Sequence, residues 1–94
     1  MYFLIYRAQP KLDADDIRDI GGAYIHCYIL GDDLDQADKI AREDIEKMNW
    51  EILTREDANE ISADSLSKEG RAYYEQALVE QTVYVFHTYP SNEE

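Results

Sequence analysis

Three segments of the chain alternate in a way that predicts β-strands with two apolar faces. They are 2–8 (YFLIYRA), 23–30 (AYIHCYIL) and 83–89 (VYVFHTY). In a strand, successive side chains point to opposite sides of the sheet, so a strand with one face in water has polar residues at alternate positions. These segments instead carry aliphatic or aromatic residues at both sets of positions. We therefore expect both faces of the sheet to be covered.

Two other segments have the spacing of amphipathic helices. The first helix is predicted over 33–49. Asp32, Asp33 and Asp35 suit its positive N-terminal end, and apolar residues recur along it at helical intervals. The apolar stripe consists of Ala37, Ile40, Ala41, Ile45 and Met48. A second helix is predicted over 66–81, capped by Ser65 or Ser67. Its apolar stripe consists of Tyr73, Tyr74, Ala77 and Leu78.

The remaining segments are predicted as connections. Segment 50–62 is interpreted as a hairpin, with one arm at 50–55, turn residues at 57–59 and a short second arm at 60–62. Segment 11–22 contains four aspartates and ends in Gly21-Gly22, so we expect a loop with one helical turn at 15–20. Residues 91–94 are expected to form a frayed tail.

This order of elements predicts an α+β fold in a single domain over 1–94. Strand 23–30, helix 33–49, the hairpin, helix 66–81 and strand 83–89 give a βαββαβ core, with strand 2–8 added in front. Right-handed crossovers would place both helices on one face of the sheet. The expected architecture is a ferredoxin-like two-layer α/β sandwich with an extra N-terminal strand. Without the hairpin, the alternative is a four-stranded mixed sheet with the same two helices.

One face of this predicted sheet is rich in tyrosine. We expect Ile25, Cys27 and Ile29, with Phe3 and Ile5, to lie beneath the helices. The other face would then carry the residues Tyr2, Leu4, Tyr6, Tyr24, His26, Tyr28 and Leu30. A patch of that size is larger than a monomer ordinarily exposes, and a second copy of the chain is its simplest cover.

Charge limits the classes of partner. The formal net charge is −12 in 94 residues, which argues against binding to nucleic acid or to an anionic membrane, because such binding depends on Lys and Arg. It permits a basic protein partner. The N-terminus lacks the features of a signal peptide and no stretch is long enough to span a membrane, so we expect a cytoplasmic protein.

The candidate chemistry is confined to two histidines and their aromatic neighbours. His26 lies between Tyr24 and Tyr28, and His87 lies in the last strand. If that strand neighbours 23–30, the imidazoles approach each other, where they could do acid–base work or bind a metal. Two histidines with no acid alternating beside them do not complete a metal site, so no metal and no cofactor are predicted.

No catalytic motif accompanies these residues, and no catalytic residue is assigned. The acidic run 31–35 lacks the glycine of a calcium loop and is better explained as a helix cap. Cys27 is expected to be a buried structural thiol. It also points away from its neighbour His26, since adjacent strand residues face opposite sides. We expect the chain not to be an enzyme.

Two blocks of the sequence, GGAYIHCYI at 21–29 and VFHTYP at 85–90, with Trp50 after the first helix, resemble blocks in small bacterial proteins of unknown function. The resemblance implies a bacterial setting and no particular activity.

Two hypotheses about function remain from the sequence. The first is a small acidic homodimer that acts as a protein-interaction or accessory module. The second is a small-molecule-binding protein or an enzyme that uses the face bearing Tyr24, His26, Tyr28 and His87.

Overall fold

The fold is α+β, with a four-stranded antiparallel sheet and two helices. A computed structural model describes residues 1–11 and 20–90 of the chain. Residues 12–19 of the predicted acidic loop and the tail 91–94 lie outside these residues, whereas Ile20, Gly21 and Gly22, expected at the end of that loop, belong to a strand. The elements are β1 Tyr2–Pro10, β2 Ile20–Ile29, α1 Leu34–Lys47, β3 Trp50–Glu60, a 3₁₀ turn Ala63–Ser65, α2 Lys68–Glu80 and β4 Thr82–Pro90.

The strand order differs from the one expected. The strands follow one another as β3-β1-β2-β4, and each pairs antiparallel with its neighbour. β1 is thus a central strand, and the ferredoxin-like order with an extra N-terminal strand is not confirmed. The physical reason is that β1 and β2 pair directly as neighbours in the chain, which leaves β1 a second edge for β3.

The predicted hairpin at 50–62 is wrong. Residues Trp50–Glu60 form one continuous strand that pairs with β1 from Pro10 to Tyr2. Asp57, expected in the turn, instead accepts hydrogen bonds from the Ala58 amide and the Asn59 side chain while the backbone stays extended. The extra length of β3 is taken up by two register shifts, opposite Ile5/Tyr6 and Arg7/Ala8, so a long partner strand has overridden the local turn preference.

The helices cover opposite faces of the sheet, so the prediction that both lie on one face is wrong. Helix α1 covers a face that contains most of the buried core, here called the α1 face. Ala37, Ala41 and Ile45 of α1 are fully buried against it. The α1 face consists of Leu4, Tyr6, Ala8, Ala23, Ile25, Cys27 and Ile29, with Trp50, Tyr84 and Phe86 packed at its sides.

Helix α2 lies on the other face, here called the α2 face. Its residues Tyr73 and Ala77 pack with Phe3, Tyr28 and Val83 in a second, smaller cluster. The strand alternation assigns Phe3, Ile5, Tyr24, His26, Tyr28, Val83, Val85, His87 and Tyr89 to the α2 face. Helix α2 contacts β4 and β2 and covers only one end of this face.

The register of β1 explains why its two faces were exchanged in the prediction. Leu4 lies opposite Cys27 and Phe3 lies opposite Tyr28, so Tyr2, Leu4 and Tyr6 join the α1 side of the sheet and not the tyrosine-rich side. A shift of one residue exchanges every side chain of a strand between faces. Because both faces of β1 are apolar, its sequence does not distinguish the two registers.

Tyrosine hydroxyls of the sheet hold α1 in place. The Tyr6 hydroxyl donates a hydrogen bond to Asp38, and the Tyr84 hydroxyl donates one to Asp44 at 2.6 Å. Burial, followed by the bonded carboxylate, raises the pKa of each of these tyrosines. Part of the high tyrosine content therefore serves the junction between sheet and helix, because a phenol buries apolar area and still satisfies a carboxylate at its rim.

Both helices begin at a capping side chain. Asp33 accepts a hydrogen bond from the Gln36 amide at the start of α1, and Ser67 accepts one from the Gly70 amide at the start of α2. Of the predicted stripes, Ala37, Ala41, Ile45 and Ala77 are buried, whereas Met48 and Leu78 are 40% and 50% exposed. Among the helices that the structure describes, none has the length and apolar character needed to cross a membrane.

Candidate functional site

The two histidines meet on the α2 face. β2 and β4 are neighbours, with His26 opposite Val85 and His87 opposite Tyr24, so the two imidazoles are diagonal neighbours across the strand pair. Their ring centres are 4.5 Å apart and the rings are tilted by 57°. The predicted approach of the imidazoles is confirmed. His26 is half-buried, and His87 is exposed at the surface.

The start of α2 forms the other wall of a small cleft beside this pair. Ser67 caps the helix there, and Glu69, Gly70 and Tyr73 follow on its first turns. The cleft has a volume of about 240 Å³. Its lining consists of His26, Tyr28, Val85 and His87 from the sheet and of Ser67, Glu69, Gly70 and Tyr73 from the helix segment.

Aromatic packing fixes the position of His26 in the cleft wall. The rings of Phe3 and His26 meet in a T-shaped contact, with 5.5 Å between ring centres and an angle of 87°. Phe3 in turn packs on Tyr28 at 5.0 Å, and Tyr28 packs on Tyr73 of α2 at 5.6 Å. The ring of His26 is therefore held by the same cluster that attaches α2 to the sheet.

His26 and Tyr28 are both held in their neutral forms near pH 7 by shifts of their pKa values. Burial, followed by the neighbouring His87, lowers the pKa of His26, so its imidazole is neutral. Burial, together with Tyr73 and Glu69, raises the pKa of Tyr28. A neutral imidazole offers one nitrogen donor and one nitrogen acceptor, and a phenol donates and accepts. His26 and Tyr28 can therefore offer a polar ligand both hydrogen-bond donors and acceptors.

The predicted site residues do not all belong to the cleft. His26, Tyr28 and His87 line it, but Tyr28 is only 6% exposed because α2 covers it. Tyr24 lies further along the same face, where its ring packs near Tyr89 at 5.9 Å. Sequence reasoning missed Ser67, Glu69 and Tyr73, because it placed α2 on the opposite face of the sheet. The strand and helix patterns contain no signal that would have corrected this.

The one cysteine of the chain does not lie beside the histidines. Cys27 is fully buried on the α1 face, and burial raises the pKa of its thiol. Among residues 1–11 and 20–90, no group of three or more His, Cys, Asp or Glu side chains is arranged to hold a metal ion.

No family model, no curated protein and no solved structure is found to match the chain.

Proposed function

We propose that the chain is a homodimeric protein-interaction module that associates through the outer edge of β4. In the part of the chain that the structure describes, β4 pairs with β2 alone and has no strand partner on its other side. An edge strand presents a row of backbone N–H and C=O groups, and an extended segment of another chain can pair with them.

The sequence of β4 is the observation that carries this proposal. The strand, TVYVFHTYP, has no Asp, Glu, Lys or Arg. Its pairing with β2 is regular from Thr82 to Tyr89. Proteins protect their edges from pairing with charged residues, bulges or proline inside the strand. Between Thr82 and Tyr89, β4 has none of these.

Electrostatics selects β4 as the place where a second copy of the chain can associate. Two molecules of formal net charge −12 repel each other, so they associate where acidic side chains are fewest. Strands β1, β2 and β4 contain no acidic residue, whereas β3 contains Glu51, Glu56, Asp57 and Glu60. A basic protein partner would gain most from the acidic surface of α1 and β3, and a self-association experiment distinguishes the two outcomes.

Exposed aromatic and histidine side chains beside the edge of β4 also support an interface on this side of the molecule. Tyr24 is 41% exposed on the α2 face, and His87 is exposed on β4 itself. The broad tyrosine surface expected from the sequence is smaller in the structure, because Tyr2 and Tyr6 join the α1 side and Tyr28 is covered by α2. The exposed apolar area of the α2 face is therefore too small to argue for a dimer that pairs face to face. The uncharged edge of β4 is the proposed contact instead.

A matched pair of charge variants tests the proposal. Thr88 is exposed on β4, and Thr54 lies on β3, the opposite edge, where it faces Arg7. Thr88→Glu places like charges in a symmetric contact and should convert the dimer to monomer in sedimentation equilibrium. Thr54→Glu, with the same change of charge, should leave the dimer intact. A wild-type chain that is monomeric at tens of micromolar, or two variants that behave alike, would overturn the proposal.

A second candidate function is binding of a small ligand in the cleft, favoured by the convergence of His26, His87 and Tyr28 on one cavity. Its volume of about 240 Å³ is below the 300–1,000 Å³ of ordinary ligand pockets, so the ligand has few heavy atoms. Screening small polar compounds by NMR tests it, since the chain has only two histidines to follow. Compounds that shift both imidazole signals, with no effect in Tyr73→Ala, would support it, and an empty screen would count against it.

A further inference from the structure

We propose that His26 and His87 form a two-imidazole chelate for a divalent transition-metal ion, with Zn²⁺, Ni²⁺ and Cu²⁺ as the fitting class. This inference deepens the second candidate function, because it names the ligand of the cleft, and it does not depend on the dimer. The chelate would be an open site: two protein ligands hold the ion, and water fills its other positions.

The distance between the rings fits a shared ion. Zinc binds imidazole nitrogen at about 2.0–2.1 Å, so for angles of about 90–110° at the metal the two ring centres lie roughly 4.5–5.2 Å apart. The ring centres of His26 and His87 are 4.5 Å apart. The tilt of 57° between the rings also keeps them from stacking face to face. The chelate requires one nitrogen of each ring to point at the shared ion, and the exposed His87 ring is the one that turns to meet it.

The surroundings favour a cation of this class over others. Imidazole is a good ligand for zinc, nickel and copper, whereas magnesium and calcium require oxygen ligands. A chain of formal net charge −12 attracts cations. Phe3 fixes one of the two rings by its edge contact with His26, which limits the freedom lost when the ion binds.

Zinc titration of the tag-free chain, followed by NMR of the two histidines, tests the inference. Both imidazoles should shift together with one binding curve at one ion per chain. His87→Ala should lower the affinity at least about tenfold, since even the loss of a supporting group costs about 10–100-fold in metal sites. The His26→Ala/His87→Ala double variant measures binding by the N-terminus and the acidic side chains.

Two results would overturn the chelate. One is independent shifts of the two imidazoles with different curves, and the other is zinc affinity unchanged in the double variant. Because His26 is half-buried and its variant could unfold, circular dichroism accompanies each titration and the exposed His87→Ala decides alone if His26→Ala is unfolded. Sedimentation of the zinc-free chain is measured separately, so loss of the chelate and loss of the dimer are distinguishable.

Discussion

The two edge strands of the sheet, β3 and β4, differ in charge, in regularity and in how they are attached to α1. β3 carries four acidic residues and two register shifts, whereas β4 carries no charged residue and pairs regularly over most of its length. Charged side chains and bulges prevent edge-to-edge pairing. The comparison teaches that β3 is protected against another strand and that β4 is open to one.

The polar links that join the two edge strands to α1 also differ. On β4, the partly buried Tyr84 hydroxyl donates to Asp44 at 2.6 Å. On β3, Arg55 meets Asp38 at 3.5 Å, with an Arg55 side chain that is 39% exposed. Exposed ion pairs contribute about 0–1 kcal/mol, less than a hydrogen bond to a charged group at about 1.5–3 kcal/mol. The Tyr84 hydrogen bond on β4 is therefore the stronger of these two polar links to α1.

Trp50 of β3 packs against β4 across the α1 face, and its replacement gives the largest expected effect. Its ring is only 8% exposed and packs on Phe86 of β4, with 5.4 Å between ring centres. Trp50→Ala should lower the free energy of unfolding by about 3–5 kcal/mol, as for other large aromatic residues. Denaturant melts measure it, with the 42% exposed Leu53 of the same strand as the control through Leu53→Ala. Equal losses of unfolding free energy in the two variants would show that the contact of Trp50 with β4 does not stabilise the sheet.

Gly22 tests how closely β4 packs on β2. A Cβ at Gly22 would clash with the Tyr89 hydroxyl oxygen and would lie 2.7 Å from the Ala8 carbonyl oxygen. Gly22→Ala should therefore destabilise the fold by about 2–3 kcal/mol, in the upper range for overpacking. Thermal melts check it. In the Tyr89→Ala background the loss should shrink without disappearing, because the backbone contact with Ala8 remains, and an unchanged melting temperature would contradict the packing.

The sequence patterns predicted the elements better than their arrangement. Helical spacing located α1 and α2, and alternation located β1, β2 and β4, because these signals depend on local periodicity. The faces of β1 and the side of the sheet on which α2 lies depend on the strand register. The observed register places Leu4 opposite Cys27. It could not be predicted, because both faces of β1 are apolar. The pairing of His26 with His87 was predictable from strand neighbours. Ser67 and Tyr73 were not, since they reach the cleft only through the position of α2.

Tyr84 sharpens the contrast between the two attachments. Tyr84→Phe should cost about 1–2 kcal/mol at neutral pH, within the range for a hydrogen bond to a charged group that is only partly buried. Arg55→Ala, its counterpart on β3, should cost less than about 1 kcal/mol. Urea melts of the two variants measure the difference, and a larger loss for Arg55→Ala would reverse the comparison.

The pH dependence of this bond has a definite sign. Burial and Asp44 raise the pKa of Tyr84 above its ordinary value of 10.0. Its contribution to stability is thus complete below pH 10 and is lost as the pH rises toward the folded value. Wild type should lose stability above pH 10 more steeply than Tyr84→Phe. Parallel curves of stability against pH would show that the phenol is not held in its neutral form.

Gln81, which connects α2 to β4, gives the smallest effect. Its φ is +75°, a conformation that glycine adopts more easily than other residues. Its amide donates to Ala77 and its carbonyl accepts from Leu30, and glycine keeps both bonds. Gln81→Gly should stabilise the fold by about 0.5–1 kcal/mol, the relief of strain less the entropy cost of glycine. Glu80→Gly in the preceding helix is the control and should destabilise, and a loss of stability in Gln81→Gly would contradict the strain.

Hydrogen exchange of individual β4 amides, measured by NMR at low and high protein concentration, tests the central claim most directly. If two copies pair through this edge, alternate amides of β4, those that point away from β2, should exchange more slowly as the concentration rises. Outward amides of β3 should not change. Exchange at β4 that is independent of concentration, or protection that appears on β3 instead, would contradict the account.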